Sequence, residues 1–432
     1  MLKIAKMRCA LVIATATAFF VTPAHAEDDA FIDYQVKPGD TLYALSQQYL
    51  QGANASLKVQ RLNRVSDPRK LPVARVLKIP RELLRSQRIE LRVAGFSGPV
   101  QVAGRTPVVG SVLGEGEVIT TGRSGFVSFS AANGAKVSLP SNTSARLLKA
   151  RRYLLGDILD MDFSILSGRG NAVSPKLGPQ GRMRMHTPSA VTAVRGTEFR
   201  VAYSEDDGRS LAEVVEGKVA VAAGGEQKLT PAGFGIASTA EGVGSIEALL
   251  PAPTVEDPGA IQTGETLVFN ITPEVGASGV RTQIARDAGF VEVLNEQVVA
   301  EGPVEFQTLD NGRYFMRARA ISASGLEGLS EVYSFRRKRL DVAADVAESP
   351  LEGGYLFKWQ PEGEGETFFA FQMWRDGDLE TMLVDETGMS EAGLVLTNLQ
   401  SGTYQWRVAA MQADEDGLLK IWGPEQKLIV SE

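Results

Sequence analysis

Val127-Ser128-Phe129-Ser130-Ala131-Ala132-Asn133-Gly134-Ala135-Lys136-Val137-Ser138-Leu139 sets the fold class. Apolar and polar residues alternate on either side of an Ala132-Asn133-Gly134-Ala135 turn, which is the signature of two half-buried strands joined as a hairpin. The same reading extends outward in both directions. Thr197, Phe199 and Val201 alternate with Glu198 and Arg200, and Glu205-Asp206-Asp207-Gly208 supplies a hairpin loop before Leu211 to Val215. Gly196 is expected where the backbone bends tightly or approaches a neighbour. Helix-period stretches are scarce from about residue 93 to 240, so this part reads as all-β.

The chain has 432 residues, one cysteine and a formal net charge of -7. Residues 1–26 read as a signal peptide. Lys3, Lys6 and Arg8 precede an apolar run, and Ala24-His25-Ala26 offers a small-x-small cleavage site after Ala26. The run is about 12 residues long, against the ~20 that a membrane-spanning helix needs. Cys9 lies in the charged start of this leader and Glu27 follows the cleavage site, which argues against a lipid anchor. The expected mature chain has no cysteine, so no thiol nucleophile or thiolate metal site. Losing three cations takes its charge from -7 to -10. That balance argues against a nucleic-acid partner, since phosphate binding needs a clustered basic surface. No transmembrane segment is expected in the mature chain. Its ~400 residues suggest three or four domains of ~100–150 residues.

Near the mature N-terminus, Gln35-Val36 begins a strand and Pro38-Gly39 turns the chain. Asp40 or Thr41 caps a helix through Leu42, Leu45 and Tyr49. Leu57, Gln60, Arg61 and Asn63 belong to a second short helix, and Val76 to Ile79 returns as a strand ended by Pro80. This Tyr34 to Pro80 stretch resembles a LysM module, a family that holds peptidoglycan or chitin chains without cutting them. The resemblance implies a βααβ fold over 34–80, with a sugar chain lying in a shallow groove between two loops. By position those loops are Gly39-Asp40-Thr41-Leu42 and Asn63-Arg64-Val65-Ser66-Asp67. Glycan-binding residues are therefore expected among Gly39, Asp40, Thr41, Leu42, Asn63, Arg64, Val65 and Ser66. Leu42 and Val65 would cover an acetyl methyl, and the short polar groups would read the N-acetyl and hydroxyl groups. The plainer reading, that Asp40 and Thr41 cap one helix and Asn63 ends the other, is compatible with this role. The family usually carries glycine before the last strand, where this chain has Ala74-Arg75. Arg81, Arg85, Arg88 and Arg92 follow at helix-like spacing and read as a spacer.

Thr187-Pro188-Ser189-Ala190-Val191-Thr192-Ala193-Val194-Arg195-Gly196-Thr197-Glu198-Phe199-Arg200-Val201 and Glu213 to Val221 look like the FecR periplasmic domain, with further matches at Gly116 to Gly122 and Leu139 to Thr143. The resemblance implies an all-β domain over 93–240. The signalling relay of the family needs a transmembrane helix, and its regulatory role is not carried over. Arg195 and Glu198 could bind a ligand. Cross-strand ion pairing or turn support is the commoner use of such residues.

Pro251 to Gly259 reads as a linker. Beyond it Leu309-Asp310-Asn311-Gly312-Arg313-Tyr314-Phe315-Met316 recurs as Leu399-Gln400-Ser401-Gly402-Thr403-Tyr404-Gln405-Trp406. A repeat of ~90 residues with short strands suits two tandem β-sandwiches. They resemble fibronectin type III-like modules over 251–340 and 341–432. Arg336-Arg337-Lys338-Arg339 falls at their junction and reads as a solvated linker.

Catalytic signatures are scarce. His186 is the only histidine beyond the leader, and no P-loop, G-x-G-x-x-G, G-x-S-x-G or S-x-x-K motif occurs. No catalytic residue, cofactor or metal site is expected. Asp376-Gly377-Asp378 and Asp414-Glu415-Asp416-Gly417 read as hairpin turns rather than calcium loops. The expected protein is thus mainly β, multidomain and non-enzymatic. It is exported to a periplasm, docks on peptidoglycan, and presents β modules to another envelope protein. A component of an envelope signalling complex and a peptidoglycan-remodelling enzyme are the alternatives.

Overall fold

The computed structural model describes residues 30–431 except Arg195, Thr308 and Leu379. The signal peptide 1–26 and the candidate Arg195 lie outside the described residues. The chain divides into two compact units, residues 30–88 with Arg151–Leu159, and residues 89–150 with Asp160 onward.

In the first unit β1 (Phe31–Gln35) pairs antiparallel with β2 (Val76–Pro80). Between them come α1 (Leu42–Tyr49) and α2 (Ala55–Leu62), giving the expected βααβ order. Leu42, Leu45, Val59, Leu77 and Ile79 close one apolar core. The spacing of Leu42 and Leu45 puts both on one face of α1, which is how so short a helix is held. The charged Arg81 to Arg92 segment is not a helical spacer. It makes a 3₁₀ turn at Arg81–Leu83 and then a strand, Ser86–Arg88, paired with Arg151–Tyr153. Leu83 and Leu84 enter the core together with Tyr153 and Leu155. Arg81, only 8% exposed, stacks its guanidinium 5.7 Å from the Tyr153 ring. Burial of those leucines overrides the arginine periodicity.

In the second unit the all-β domain continues beyond 93–240 on both sides, from the strand Leu91–Ser97 to the strand Gly242–Ala248. Val127–Ser130 pairs with Lys136–Leu139 as a hairpin. The long strand Ile158–Val173 joins two sheets. Its Asp160–Ser164 part runs parallel to Arg182–His186, and Gly168–Val173 runs antiparallel to Glu198–Tyr203. The parallel register sets Asp160 beside Arg182 and Asp162 beside Arg184. Gly196 has φ +74, and a Cβ there would sit 3.1 Å from the Lys176 Cα, so both the turn and the close approach require glycine.

Two β-sandwiches follow. The first packs Phe269, Phe306, Tyr314 and Phe335 edge-to-face and stacked. The second does the same with Phe357, Trp359, Phe371 and Trp406. The sequence repeat is a structural repeat. Tyr314 donates its hydroxyl to the Asp310 carbonyl at 2.9 Å, and Tyr404 to the Gln400 carbonyl at 2.6 Å. Each ring thereby pins the backbone four residues upstream, as tyrosine corners do in β-sandwiches.

The Arg336–Arg339 run departs from the expected solvated linker. Arg336 and Arg337 end the strand Val332–Arg337, and Arg337 is fully buried. Its guanidinium donates to the carbonyls of Gln262 at 3.0 Å, Glu265 at 3.3 Å, and Gly264. Arg336 pairs with Asp414 and, at 3.0 Å, with Asp416 of the second sandwich. Backbone carbonyls and carboxylates left without partners at the module ends give these cations a reason to stay.

The Val127–Leu139 hairpin departs from half-burial in an informative way. Ser128, on its polar face, is 5% exposed and donates to the Val291 carbonyl of the first sandwich at 2.7 Å. Arg200 is likewise buried, at 3% exposure, rather than on a solvated face. The polar faces of these strands are where the first sandwich docks on the β domain.

Candidate glycan-binding site

Pro38-Gly39 turns the chain out of β1, and Gly39 adopts φ +89, a conformation that glycine takes without cost. A Cβ at Gly39 would meet nothing within 4 Å, so this loop presents open backbone. Asp40 anchors the turn. Its Oδ2 accepts the Lys37 amide and the Tyr34 hydroxyl, each at 2.7 Å. Burial and then the Asp40 carboxylate push the Tyr34 phenol well above its ordinary value. Thr41 caps α1, with Oγ1 accepting the Ala44 amide at 3.1 Å. The Leu42 amide donates to the Pro68 carbonyl at 2.9 Å and so ties the first loop to the second.

In the second loop Asn63 is a clamp. Its Oδ1 accepts the Lys78 amide at 2.7 Å, and its Nδ2 donates to the carbonyls of Lys78 and Val59 at 2.8 and 2.9 Å. The side chain has no donor left for a sugar. Arg64 follows at φ +50 with its side chain exposed, and Ser66 is exposed as well.

The expected residues thus separate by role. Gly39, Asp40, Thr41 and Leu42 lie next to the loop carrying Arg64, Val65 and Ser66. The side chains of Leu42 and Val65, 2% and 6% exposed, face the core. They cannot cover an acetyl methyl, which corrects that expectation: both are needed to seat α1 and the end of α2. Exposed apolar surface comes instead from Tyr43, 72% exposed, with Leu62, Val73 and Val76. Sequence reading passed over Tyr43 because it falls between the two core positions of α1. A second signal lay in the charges. Residues 30–80 hold eight lysines and arginines against three aspartates, a local +5 on a chain of net -7. Such a module is drawn toward polyanionic surfaces.

Outside this module Asp160 and Asp162 form a ladder with two arginines. Arg182 donates to Asp160 through Nε and Nη2 at 2.6 and 3.1 Å, and Arg184 to Asp162 through the same atoms at 2.7 and 2.7 Å. His186 Nε2 lies 3.7 Å from the same Asp162 carboxylate. Asp376-Gly377 and Asp414 to Gly417 lie in hairpin turns, as expected. Among the described residues no helix is long and apolar enough to cross a membrane.

The fold defines a mostly β multidomain protein with a small βααβ module over residues 31–80. More particularly, residues 34–80 match the LysM domain family and residues 117–220 match the FecR protein family. The chain carries a LysM domain and a FecR domain, followed by two β-sandwiches. Among solved structures it is similar to a putative anti-sigma factor from Parabacteroides distasonis ATCC 8503, at 18% identity and TM-score 0.26, covering 30% of this chain. The chain spans 57% of that protein's length. It is also similar to the fibronectin(III)-like modules of Clostridium thermocellum CbhA, at 12% identity and TM-score 0.22, over 41% of this chain and 93% of that one. A two-domain fibronectin type-III segment of chicken tenascin matches at 13% identity and TM-score 0.24, over 43% of this chain and 99% of that one. Likenesses this distant bear on neither ligand nor activity. No curated protein matches the chain.

Proposed function

We propose that this chain is a non-enzymatic protein of the bacterial envelope, exported to the periplasm, that holds peptidoglycan through residues 34–80. The observation that carries this reading is the Leu42 to Pro68 hydrogen bond, which brings the open Gly39 turn beside the loop of Arg64 and Ser66. Backbone groups and short polar side chains then line one shallow surface inside a basic module, and the exposed Tyr43 follows directly on the first loop. A groove of this size binds weakly, so retention at the wall depends on repeated contacts along a glycan strand. The FecR domain and the sandwiches serve as the arm that meets another envelope protein.

Pelleting with insoluble sacculi tests the reading. Truncating residues 30–80 is a poor control, because it would expose Tyr153 and Leu155, which belong to the same core. Ser66→Trp in the intact chain fills the surface while leaving every core contact in place. Loss of the variant from the pellet is expected. Equal recovery of the two proteins would reject the glycan surface, and release of soluble muropeptides would point to a wall-remodelling enzyme.

A second reading draws on the FecR match over 117–220, namely a component of an envelope signalling complex. It predicts a specific protein partner that is lost when surface residues of 117–220 are substituted, with Tyr153 and Leu155 of the LysM core left in place.

A further inference from the structure

A cleft of about 210 Å³ opens where the FecR domain meets the first sandwich. One wall is apolar, with Phe129 and Phe290. Another is polar, with Ser130, Ser138 and Asn171, and the floor carries Arg317 and Arg319.

The charges at this junction do not balance. Glu213, Glu296 and Glu327 are shared by Arg169, Arg200, Arg281 and Arg319 in ion pairs between 2.6 and 3.2 Å. Arg317 is outside that set. Its Nε donates to Gln283 Oε1 at 2.9 Å and its guanidinium lies 3.9 Å from the Phe290 ring. Among the described residues no carboxylate lies within ion-pair distance of it. Burial, together with Arg319 and Arg200, depresses its pKa well below the arginine norm. Arg319, 5% exposed, leaves Nε buried without an acceptor. A cation held this way is costly unless an anion completes it. Five arginines and the exposed Lys136 face three buried glutamates and the exposed Glu198 at the cleft, a surplus of two charges.

The geometry points to a binding site for a small organic carboxylate, its head group on Arg317 and Arg319 and its short apolar body against Phe290. A guanidinium pair matches the two oxygens of a carboxylate. The apolar wall at Phe290 favours a carboxylate with an apolar body over inorganic phosphate. The site is independent of the glycan surface on residues 34–80.

Butyrate, inorganic phosphate and chloride at matched ionic strength serve as probes, read by the thermal transition of the full chain. Butyrate should raise Tm saturably, as a ligand that binds only the folded state does. Arg317→Met keeps the side-chain length and removes no ion pair, so it should fold with an unchanged or raised Tm. Its affinity for butyrate should fall by about tenfold or more. Ser130→Leu fills the cleft without altering a charge and should also abolish the response, which keeps the test open if Arg317→Met misfolds. A response in the variants equal to the wild type, no saturable response in the wild type, or a phosphate response matching that of butyrate overturns the assignment. Sacculus pelleting should be unchanged in both variants, so failure here is separable from failure of the wall-binding proposal.

Discussion

The backbone amide of Glu327, in the first sandwich, donates to Oε1 of Glu213, in the FecR domain, at 2.8 Å. Arginines surround the side chains of both glutamates. Arg200 bridges them, with Nε on Glu213 at 2.6 Å and Nη2 on the Glu327 carbonyl at 2.6 Å. Arg169 pairs with both side chains. Both glutamates are 1% exposed. Glu327→Gln strands the buried Arg319 and leaves Arg169 and Arg281 with one carboxylate each, Glu213 and Glu296. It should cost about 3–5 kcal/mol, the penalty for breaking a buried ion pair from one side. Chemical denaturation should also change from one cooperative transition to two, as the modules uncouple. A single transition at the wild-type midpoint would show that the network does not join them.

The Asp160–Arg182 and Asp162–Arg184 ladder governs acid stability. Burial alone would raise both carboxyls, but the arginine hydrogen bonds prevail and hold each below its ordinary value. Glu327 is depressed in the same sense: burial raises it, and Arg169, Arg281 and Arg319 more than offset this. Unfolded carboxyls take up protons near pH ~4. Between that value and the lower folded one, the unfolded state binds more protons. The contribution is therefore full above about pH 5 and is lost as pH falls. Denaturant midpoints should be flat from about pH 5 to 7 and drop below about pH 4. Asp162→Asn should flatten the acid limb while lowering the plateau. An unchanged acid limb would remove the ladder from this role.

Ala74 takes φ +67 in the turn before β2, where the Val36 carbonyl accepts its amide at 2.9 Å. An alanine side chain is strained in this conformation, and glycine is not. Ala74→Gly should stabilise the module by about 1 kcal/mol, against a smaller entropic loss. Slower hydrogen exchange at Val36 and Leu77 would register the gain; faster exchange would mean that the turn carries no strain.

Legibility of this fold tracked how far each segment's burial was local. The Val127–Leu139 hairpin, the βααβ order of residues 34–80 and the Tyr314 and Tyr404 repeat could be read because periodicity and turn chemistry act within a few residues. Ser128 and Arg200 could not be read correctly. Their polar faces are covered by the first sandwich, more than 80 residues away in sequence. Arg337 misled for the same reason, since its carbonyl partners at Gln262 and Gly264 lie about 75 residues upstream. In the two loops of the LysM domain the backbone course was legible and the side-chain directions were not. Leu42 and Val65 turn inward, whereas Tyr43 turns out.

Tyr43 and Asn63 separate recognition from folding. Tyr43, 72% exposed, offers a flat amphipathic ring beside the Gly39 turn and contributes little to the core. Tyr43→Ala should leave the denaturation midpoint within about 0.5 kcal/mol of wild type, as exposed substitutions do. It should still lower recovery with sacculi severalfold. Asn63 behaves oppositely, because its three hydrogen bonds to Lys78 and Val59 join α2 to β2. Asn63→Ala strands those backbone groups and should cost about 2–3 kcal/mol. Its residual folded fraction should bind glycan with undiminished affinity. Weak binding by folded Asn63→Ala together with full binding by Tyr43→Ala would invert the roles and move the sugar contact from the start of α1 to the end of α2.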